Sequence, residues 1–390
     1  MGQTMGLDNA DAALMDADSI SAFEKIQADL LDEYRQDHTY PWIIGYSGGK
    51  DSTLVTHLAF EMLMRLPPSE RKRPVHIVAN DTLVESPLVV QHIIDSTNEI
   101  QNAAEAFGLP VITKITRPSP EQSFWVNLIG RGYPSPNRSF RWCTDRMKIL
   151  PTSRYIKSLA DNAGQVILLL GVRRSESATR AASVGRYDNG ERLNKHNDLQ
   201  GCMVFRPIVE LDTDDVWEFL ALNEPPWGGS HLKLIRLYRE ASGGECPVVT
   251  SKDDAPSCGS TSSRFGCWTC TVVEKDRSLE GFVEYGYTEF GPLLDFRDWL
   301  VSIRNDKERR QARRRDGRIT ITDGGIFVPG PFTLQTRSEV LERLRNLEKE
   351  TGQALITQEE IDLIHEIWSA EIGTYANARP MSVREIKKDK

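Results

Sequence analysis

No stretch of this 390-residue chain is apolar for the length a membrane helix needs, so no membrane partner is expected. The first residues are small, polar and acidic, without the apolar core of a signal peptide, and a cytoplasmic location is the expectation. Internal repeats and coiled-coil heptads are absent, which sets aside solenoids and rods. Positive charge is not in surplus: 48 Lys and Arg stand against 56 Asp and Glu, a net charge of −8. That balance argues against a protein that coats nucleic acid uniformly, while leaving room for a local basic face. Cysteine is sparse at six residues, and without secretory features these point to metal or redox chemistry rather than disulfides. The remaining composition is that of an ordinary soluble protein, and the length suits one α/β domain of about 250 residues with an appendage.

The most informative stretch is Trp42-Ile43-Ile44-Gly45-Tyr46-Ser47-Gly48-Gly49-Lys50-Asp51-Ser52-Thr53-Leu54-Val55. An apolar run enters two adjacent glycines, and a helix-compatible run leaves them. The expected unit is strand, tight loop, helix N-terminus, whose unpaired N–H groups and dipole favour an anion. Gly48 and Gly49 let the backbone approach a ligand, Ser47 and Ser52 add hydroxyls, and Lys50 adds a cation. The spacing is not that of the usual G-x-x-x-x-G-K-[ST] nucleotide loop. Ser-Gly-Gly-x-Asp-Ser is instead the pattern of enzymes that split ATP between its α and β phosphates, and Asp51 suits a Mg²⁺ ligand on the departing pyrophosphate. Lys50 and Asp51 are expected to project from the loop and to contribute little to packing.

Residues 1–18 read as a disordered tail. Residues 19–227 read as a nucleotide-binding domain, 228–291 as a cysteine-rich segment, and 292–390 as a helical region with a basic stretch. Ser21 and Glu24 form an expected capping box for the first helix. Strands are expected at Pro74–Ala79, Val111–Ile115, Gln165–Leu170 and Met203–Pro207, alternating with helices, so the fold class is α/β with a doubly wound, mostly parallel sheet. Ligands of such sheets collect at the carboxyl ends of strands, which places Asn80, Asp81 and Glu85 in one crevice. Residues 117–142 hold aromatic side chains with Arg131, Arg138 and Arg141, and read either as a substrate loop or as a loop packed by its own rings. After the strand ending at Leu170 come Gly171, Arg173, Arg174 and Arg180, which suit a polyanion or a surface ion-pair cluster. Residues 181–201 read as a mobile loop. Asp212 or Thr213 caps the next helix.

Cys258, Cys267 and Cys270 stand as C-x8-C-x2-C, and Cys143 lies upstream. A fourth thiolate beside the three can come from Cys143, Cys202 or Cys246, and spacing alone does not separate Zn²⁺ from [4Fe–4S]. Cys202 and Cys246 read as buried thiols, with a sulfur-carrying persulfide as the alternative. Arg304–Arg318 holds eight basic and three acidic residues, a nucleic-acid contact or a solvated helix face.

In combination, Ser47–Ser52, Asn80-Asp81, Gly171–Ser177, the stretch from Pro207 to Asp215-Val216-Trp217 and the split cysteine set resemble the phosphoadenosine-phosphosulfate reductase superfamily, and within it the DNA phosphorothioation branch. The resemblance covers about residues 20–370. It implies an adenine-nucleotide α-hydrolase fold, an ATP pyrophosphatase using Mg²⁺, a [4Fe–4S] cluster on Cys143, Cys258, Cys267 and Cys270, and sulfur insertion into the DNA backbone. ATP would lie on Ser47, Gly48, Gly49, Lys50, Asp51 and Ser52, with Asn80, Asp81 and Gly171 lining the crevice. Lys50, Asp51, Arg173 and Arg174 would serve the chemistry. The implied partners are DNA, a cysteine desulfurase as sulfur donor, and other proteins of a phosphorothioation complex. The competing functions are sulfur transfer to tRNA, sulfonucleotide reduction, and a cluster-bearing nucleotide sensor or scaffold. Sulfonucleotide reductases carry a catalytic cysteine in a C-terminal Glu-Cys-Gly-x-His-type motif, whereas the last cysteine here is Cys270.

Overall fold

The apolar runs pair into one sheet because side chains on both faces are withdrawn from water. The computed structural model describes residues 17–176, 178–187, 190–242, 265–321, 325 and 327–375. In chain order, the first elements are α1 (Ala17–Tyr34), β1 (Trp42–Gly45), α2 (Lys50–Arg65), β2 (Val75–Asn80), α3 (Pro87–Ala106) and β3 (Val111–Thr116). They are followed by α4 (Leu150–Ala163), β4 (Val166–Leu169), α5 (Ala178–Tyr187), β5 (Leu193–Lys195), β6 (Cys202–Phe205), α6 (Thr213–Leu222) and α7 (Leu232–Glu240). The six-stranded sheet has the order β3-β2-β1-β4-β6-β5. All pairings are parallel except β5 against β6. From β1 the chain winds outward through β2 and β3, then returns to place β4 on the other side of β1. The order therefore reverses between β1 and β4, the switch point where such sheets bind ligands.

Burial anchors this arrangement. Trp42, Ile43, Val166, Ile167 and Leu169 are fully buried in the sheet, and Leu54, Val55 and Leu63 in α2. Each such aliphatic side chain is worth roughly 1.5–3 kcal/mol relative to exposure. The sequence stops α2 sharply: Leu66 is extended because the following Pro67 disfavours a helical residue before it. Cys202 packs in a cluster with Ile43, Val78, Val166 and Leu168.

The chain divides into two compact units: Met1–Asn80, Pro87–Thr116 and Thr152–Ser262 form the first, and Asp81–Ser86, Arg117–Pro151 and Ser263–Lys390 the second. The second contains α8 (Arg277–Tyr285), α9 (Gly291–Arg304), β7 (Thr320–Ile321), β8 (Phe327–Val328), α10 (Leu334–Thr351) and α11 (Gln358–Tyr375). It also has two π-helical turns, at Val126–Gly130 and Thr144–Ile149. Its core is aromatic. Phe124, Trp125, Trp142 and Trp268 are buried, with Phe124 stacked on Trp142 and Trp125 against both Trp268 and Phe296. Phe124, Trp125 and Trp142 thus build a core, which is the self-packed reading of that loop, while Phe140 is exposed.

Several local expectations change. The first helix begins at Ala17, so Ser21 and Glu24 are interior residues and not its cap; residues 1–16 lie outside the described residues. Residues 181–201 are not a loop, since they carry the rest of α5 and the edge strand β5. Beyond Arg304 the basic stretch is no helix: a single 3-10 turn, Lys307–Arg309, precedes irregular chain. The expected cap at Asp212 holds. Asp212 and Asp215 form a capping box on α6, Gly352 ends α10 in the left-handed region (φ 68°), and Thr357 and Glu360 cap α11.

Candidate functional site

In the first unit, β1 delivers the chain to a loop at the switch point. Gly48 turns it with φ +71°, and a Cβ there would stand 2.8 Å from Ile93 Cγ1. Gly49 is the N-cap of α2. Ser52 Oγ donates to Gly49 O at 2.9 Å and accepts the Ser47 N–H at 3.2 Å, so the two hydroxyls brace the loop from inside. His92 from α3 holds the Gly48 carbonyl at 3.1 Å. Gly171, just past β4, is glycine for a different reason. A Cβ there would lie 2.7 Å from Asp51 C and O and 2.9 Å from Ser52 N. The backbone just past β4 thus packs directly against the backbone of the first turn of α2.

The charges of this loop are interlocked. Lys50 Nζ meets Asp51 Oδ2 at 2.9 Å, and Arg173 Nε meets Asp51 Oδ1 at 2.6 Å. Arg173 is 1% exposed, and its remaining N–H groups reach Ser175 Oγ, Leu211 O and Thr213 Oγ1. Asp51 is thus held by a buried arginine from the far side of the switch point, and the expectation that it contributes little to packing is wrong. Arg173 positions Asp51, whereas Arg174 pairs with Glu210 at 2.8 Å. Ser177 and the side chain of Arg180 lie outside the described residues. Asn80 ends β2 and accepts from Thr116 Oγ1 at 3.1 Å.

The second unit gathers Cys143, Cys267 and Cys270. Leu83 adopts φ +66°, an uncommon conformation for a non-glycine residue, and the Asp81 carboxylate braces it by accepting its N–H at 2.8 Å. Trp268 N–H donates to Val84 O, and Ser86 N–H to Gly266 O, so residues 84–86 run beside 266–268. Cys267 Sγ consequently lies 3.4 Å from Thr82 Oγ1 and 3.6 Å from Glu85 Oε1, and Lys148 Nζ reaches the same Glu85 oxygen at 3.1 Å. Asp81 also pairs with Arg117 Nε at 2.9 Å. Asp81 and Glu85, the residues expected at the crevice, make these contacts within this unit. Burial, then the Glu85 charge, pushes the Cys267 thiol well up; burial, then Cys270, raises Cys143. Cys143 precedes the π-helical turn that carries Lys148. Arg297 Nε holds the Cys270 carbonyl at 3.0 Å, and Arg304 the Thr271 carbonyl at 2.6 Å, which fixes the C-x2-C turn.

Three of the four expected ligands, Cys143, Cys267 and Cys270, are thus close enough to act on one another electrostatically, and thiol donors suit an iron–sulfur group in kind. Among the described residues no three His, Cys, Asp or Glu side chains stand in a formed metal site. Cys258 and Cys246 lie outside the described residues. Cys202 is buried in the sheet core, where burial lifts its thiol to about 11. The basic stretch is largely engaged. Arg310 holds three carbonyls, of Gly330, Arg304 and Pro329, and Arg315 pairs with Glu371 and holds the Arg131 carbonyl. Among the described residues, no helix is long and apolar enough to cross a membrane.

The glycine loop lies at the switch point of a mostly parallel α/β sheet, the place where such sheets bind ligands. The chain belongs to the phosphoadenosine phosphosulfate reductase domain family, whose profile matches residues 41–273. An uncharacterized protein of Methanocaldococcus jannaschii is 23% identical over 234 residues, 60% of this chain and 37% of that protein. The chain therefore spans little more than a third of that relative's length. Solved structures with similarity include the phosphoadenylyl-sulfate reductase of Candida auris, with 14% identity, TM-score 0.30, and 56% and 86% of the two chains covered. The U34-tRNA thiolase NcsA of Methanococcus maripaludis, with its [4Fe-4S] cluster, matches with 11% identity, TM-score 0.32, and 67% and 90% coverage. The NH3-dependent NAD synthetase of Campylobacter jejuni matches with 15% identity, TM-score 0.31, and 52% and 71% coverage.

Proposed function

We propose that this chain is an ATP pyrophosphatase and sulfurtransferase that activates a DNA backbone phosphate for sulfur insertion, as its resemblance to the phosphorothioation sulfurtransferase DndC implies. The observation that carries the reading is the Lys50–Asp51–Arg173 network under a glycine cradle. The triphosphate would take the loop N–H groups at the start of α2. Lys50 would leave Asp51 for a phosphate oxygen, freeing Asp51 Oδ2, while Arg173 keeps the carboxylate in place through Oδ1. Asp51 would then hold Mg²⁺, which when bound neutralises charge on the departing pyrophosphate. A non-bridging oxygen of the DNA phosphate attacks the α-phosphorus, pyrophosphate leaves, and a sulfur nucleophile then displaces AMP. Fixed cations aimed at the phosphates supply the main catalytic term in such transfers.

Cys143, Cys258, Cys267 and Cys270 would hold a [4Fe–4S] cluster, a group that handles sulfur and electrons when bound. The sulfur donor in this reading is a cysteine desulfurase, whose persulfide sulfur is released at the sulfide level by a thiol reductant that is itself oxidised to a disulfide, and the exposed Arg138 and Arg141 support contact with the acceptor strand. The test is mass spectrometry of nuclease-digested DNA from cells with and without the protein. Phosphorothioate linkages that depend on the chain are the expected result. Unmodified DNA, with a sulfur-dependent change in tRNA instead, overturns the acceptor assignment.

A further inference from the structure

Tyr238 lies on α7, far from the loop in sequence, yet its hydroxyl sits at the loop. Lys50 N–H donates to Tyr238 Oη at 3.4 Å. A Cβ built on Gly49 would stand 3.1 Å from the same oxygen. Lys50 N–H is among the first amides of α2, which have no partner inside the helix and favour an anion. A phosphate oxygen that accepts this N–H at an ordinary distance of about 2.9 Å must come within hydrogen-bond reach of Tyr238 Oη or push it away. A triphosphate that takes the Lys50 N–H therefore does not leave Tyr238 unaffected.

From this geometry we infer that the Tyr238 hydroxyl is a phosphate contact of the site, donating to the pyrophosphate half of a bound nucleoside triphosphate. The inference rests on the ATP reading above and adds a ligand that the loop motif does not contain. The surroundings favour donation over displacement. Trp217 packs edge-on to the Tyr238 ring at 4.9 Å and is itself buried, so the ring is held in place. Burial, with Asp51 adding its charge, raises the phenol well above its ordinary range, so the hydroxyl keeps its proton for donation. The 3.4 Å separation is long for an N–H···O bond, and a phosphate oxygen is the better acceptor for that amide. On binding, the Lys50 N–H and the Tyr238 O–H would converge on one oxygen.

The experiment compares the full chain with Tyr238→Phe, which keeps the ring against Trp217 and removes only the hydroxyl. Binding of inorganic pyrophosphate, ATP and adenosine is measured by calorimetry, with Trp emission as a second readout. Loss of a hydrogen bond to a charged acceptor is expected to weaken pyrophosphate and ATP by about 10- to 100-fold. Adenosine affinity and the unfolding midpoint should not move, as they would if the residue were merely structural. Pyrophosphate should change the emission of the wild type, and Trp217→Phe should abolish that change. Equal pyrophosphate affinity in Tyr238→Phe overturns the contact, and so does tighter binding, which would make the hydroxyl a competitor of the anion. A wild type that binds pyrophosphate and shows the Tyr238 effect, but never cleaves ATP, sinks the enzymatic reading and leaves this one standing. A wild type that binds neither ATP nor pyrophosphate sinks both.

Discussion

Removing the Asp51 carboxylate should destabilise the first unit as well as disable it. Arg173 is 1% exposed and donates to Asp51 at 2.6 Å, so Asp51→Ala leaves a buried guanidinium without its counter-charge. Breaking a buried ion pair from one side costs about 3–5 kcal/mol. Arg173 keeps three neutral acceptors, on Ser175, Leu211 and Thr213, and the Asp51 side chain is 19% exposed. Both facts place the loss at the lower end, about 3 kcal/mol. For a unit of roughly 200 residues, that lowers Tm by about 6–12 °C. The assay is thermal and urea unfolding of the wild type, Asp51→Ala, Arg173→Met and the double variant. With the stranded charge removed, the double variant should recover part of the Asp51→Ala loss. An Asp51→Ala protein within about 0.5 kcal/mol of wild type, or strictly additive losses in the cycle, would refute the reasoning.

Gly171→Ala should displace the loop, because the new methyl would meet the Asp51 and Ser52 backbone at 2.7–2.9 Å; a binding assay should show ATP affinity reduced at least about tenfold, and unchanged affinity would mean that the close approach of Gly171 to the start of α2 is not needed for binding. His57 and His231 share a 3.0 Å hydrogen bond, and burial depresses them to about 3 and about 4. Below the ordinary imidazole pKa of about 6.5 the unfolded chain therefore binds protons that the folded pair refuses. Stability should be full above that pH and fall on acidification toward the folded values, by at most about 1.4 kcal/mol per pH unit for each imidazole. Urea unfolding from pH 7 to pH 5 should show a shallower fall in His57→Gln than in wild type, and equal slopes would exclude the pair as the source. Anaerobically prepared protein should carry about four irons per chain and lose them in Cys143→Ser; stoichiometric zinc without iron would remove the cluster from the account.

The parts of the molecule legible in the sequence are those encoded locally. Six contiguous residues specify the loop, and continuous apolar runs specify strands buried on both faces. The edge of the sheet was hidden: β5 spans three residues, with only Asn194 buried, and pairs antiparallel, so it left no apolar run to find. The cysteine neighbourhood is assembled from residues 82–85, 143–148 and 267–270, and nothing near Cys267 in sequence announces Thr82, Glu85 or Lys148 as its neighbours. Tyr238 is separated from Lys50 by 188 positions and carries no motif. Composition also cannot distinguish an arginine that holds carbonyls, as Arg310 does, from one that faces solvent. The aromatic residues of 117–142 left a substrate loop and a self-packed loop equally open in the sequence, and rings in a compact unit are first of all the largest apolar groups available to its core.

The proposed cleavage of ATP between its α and β phosphates has a direct readout. ³¹P NMR of Mg²⁺ and ATP incubated with the full chain, with and without DNA and a sulfur donor, tests it directly. AMP and pyrophosphate should accumulate together, and Lys50→Ala should produce neither. Accumulation of ADP and inorganic phosphate, or ATP left intact under every combination, would contradict the proposed cleavage.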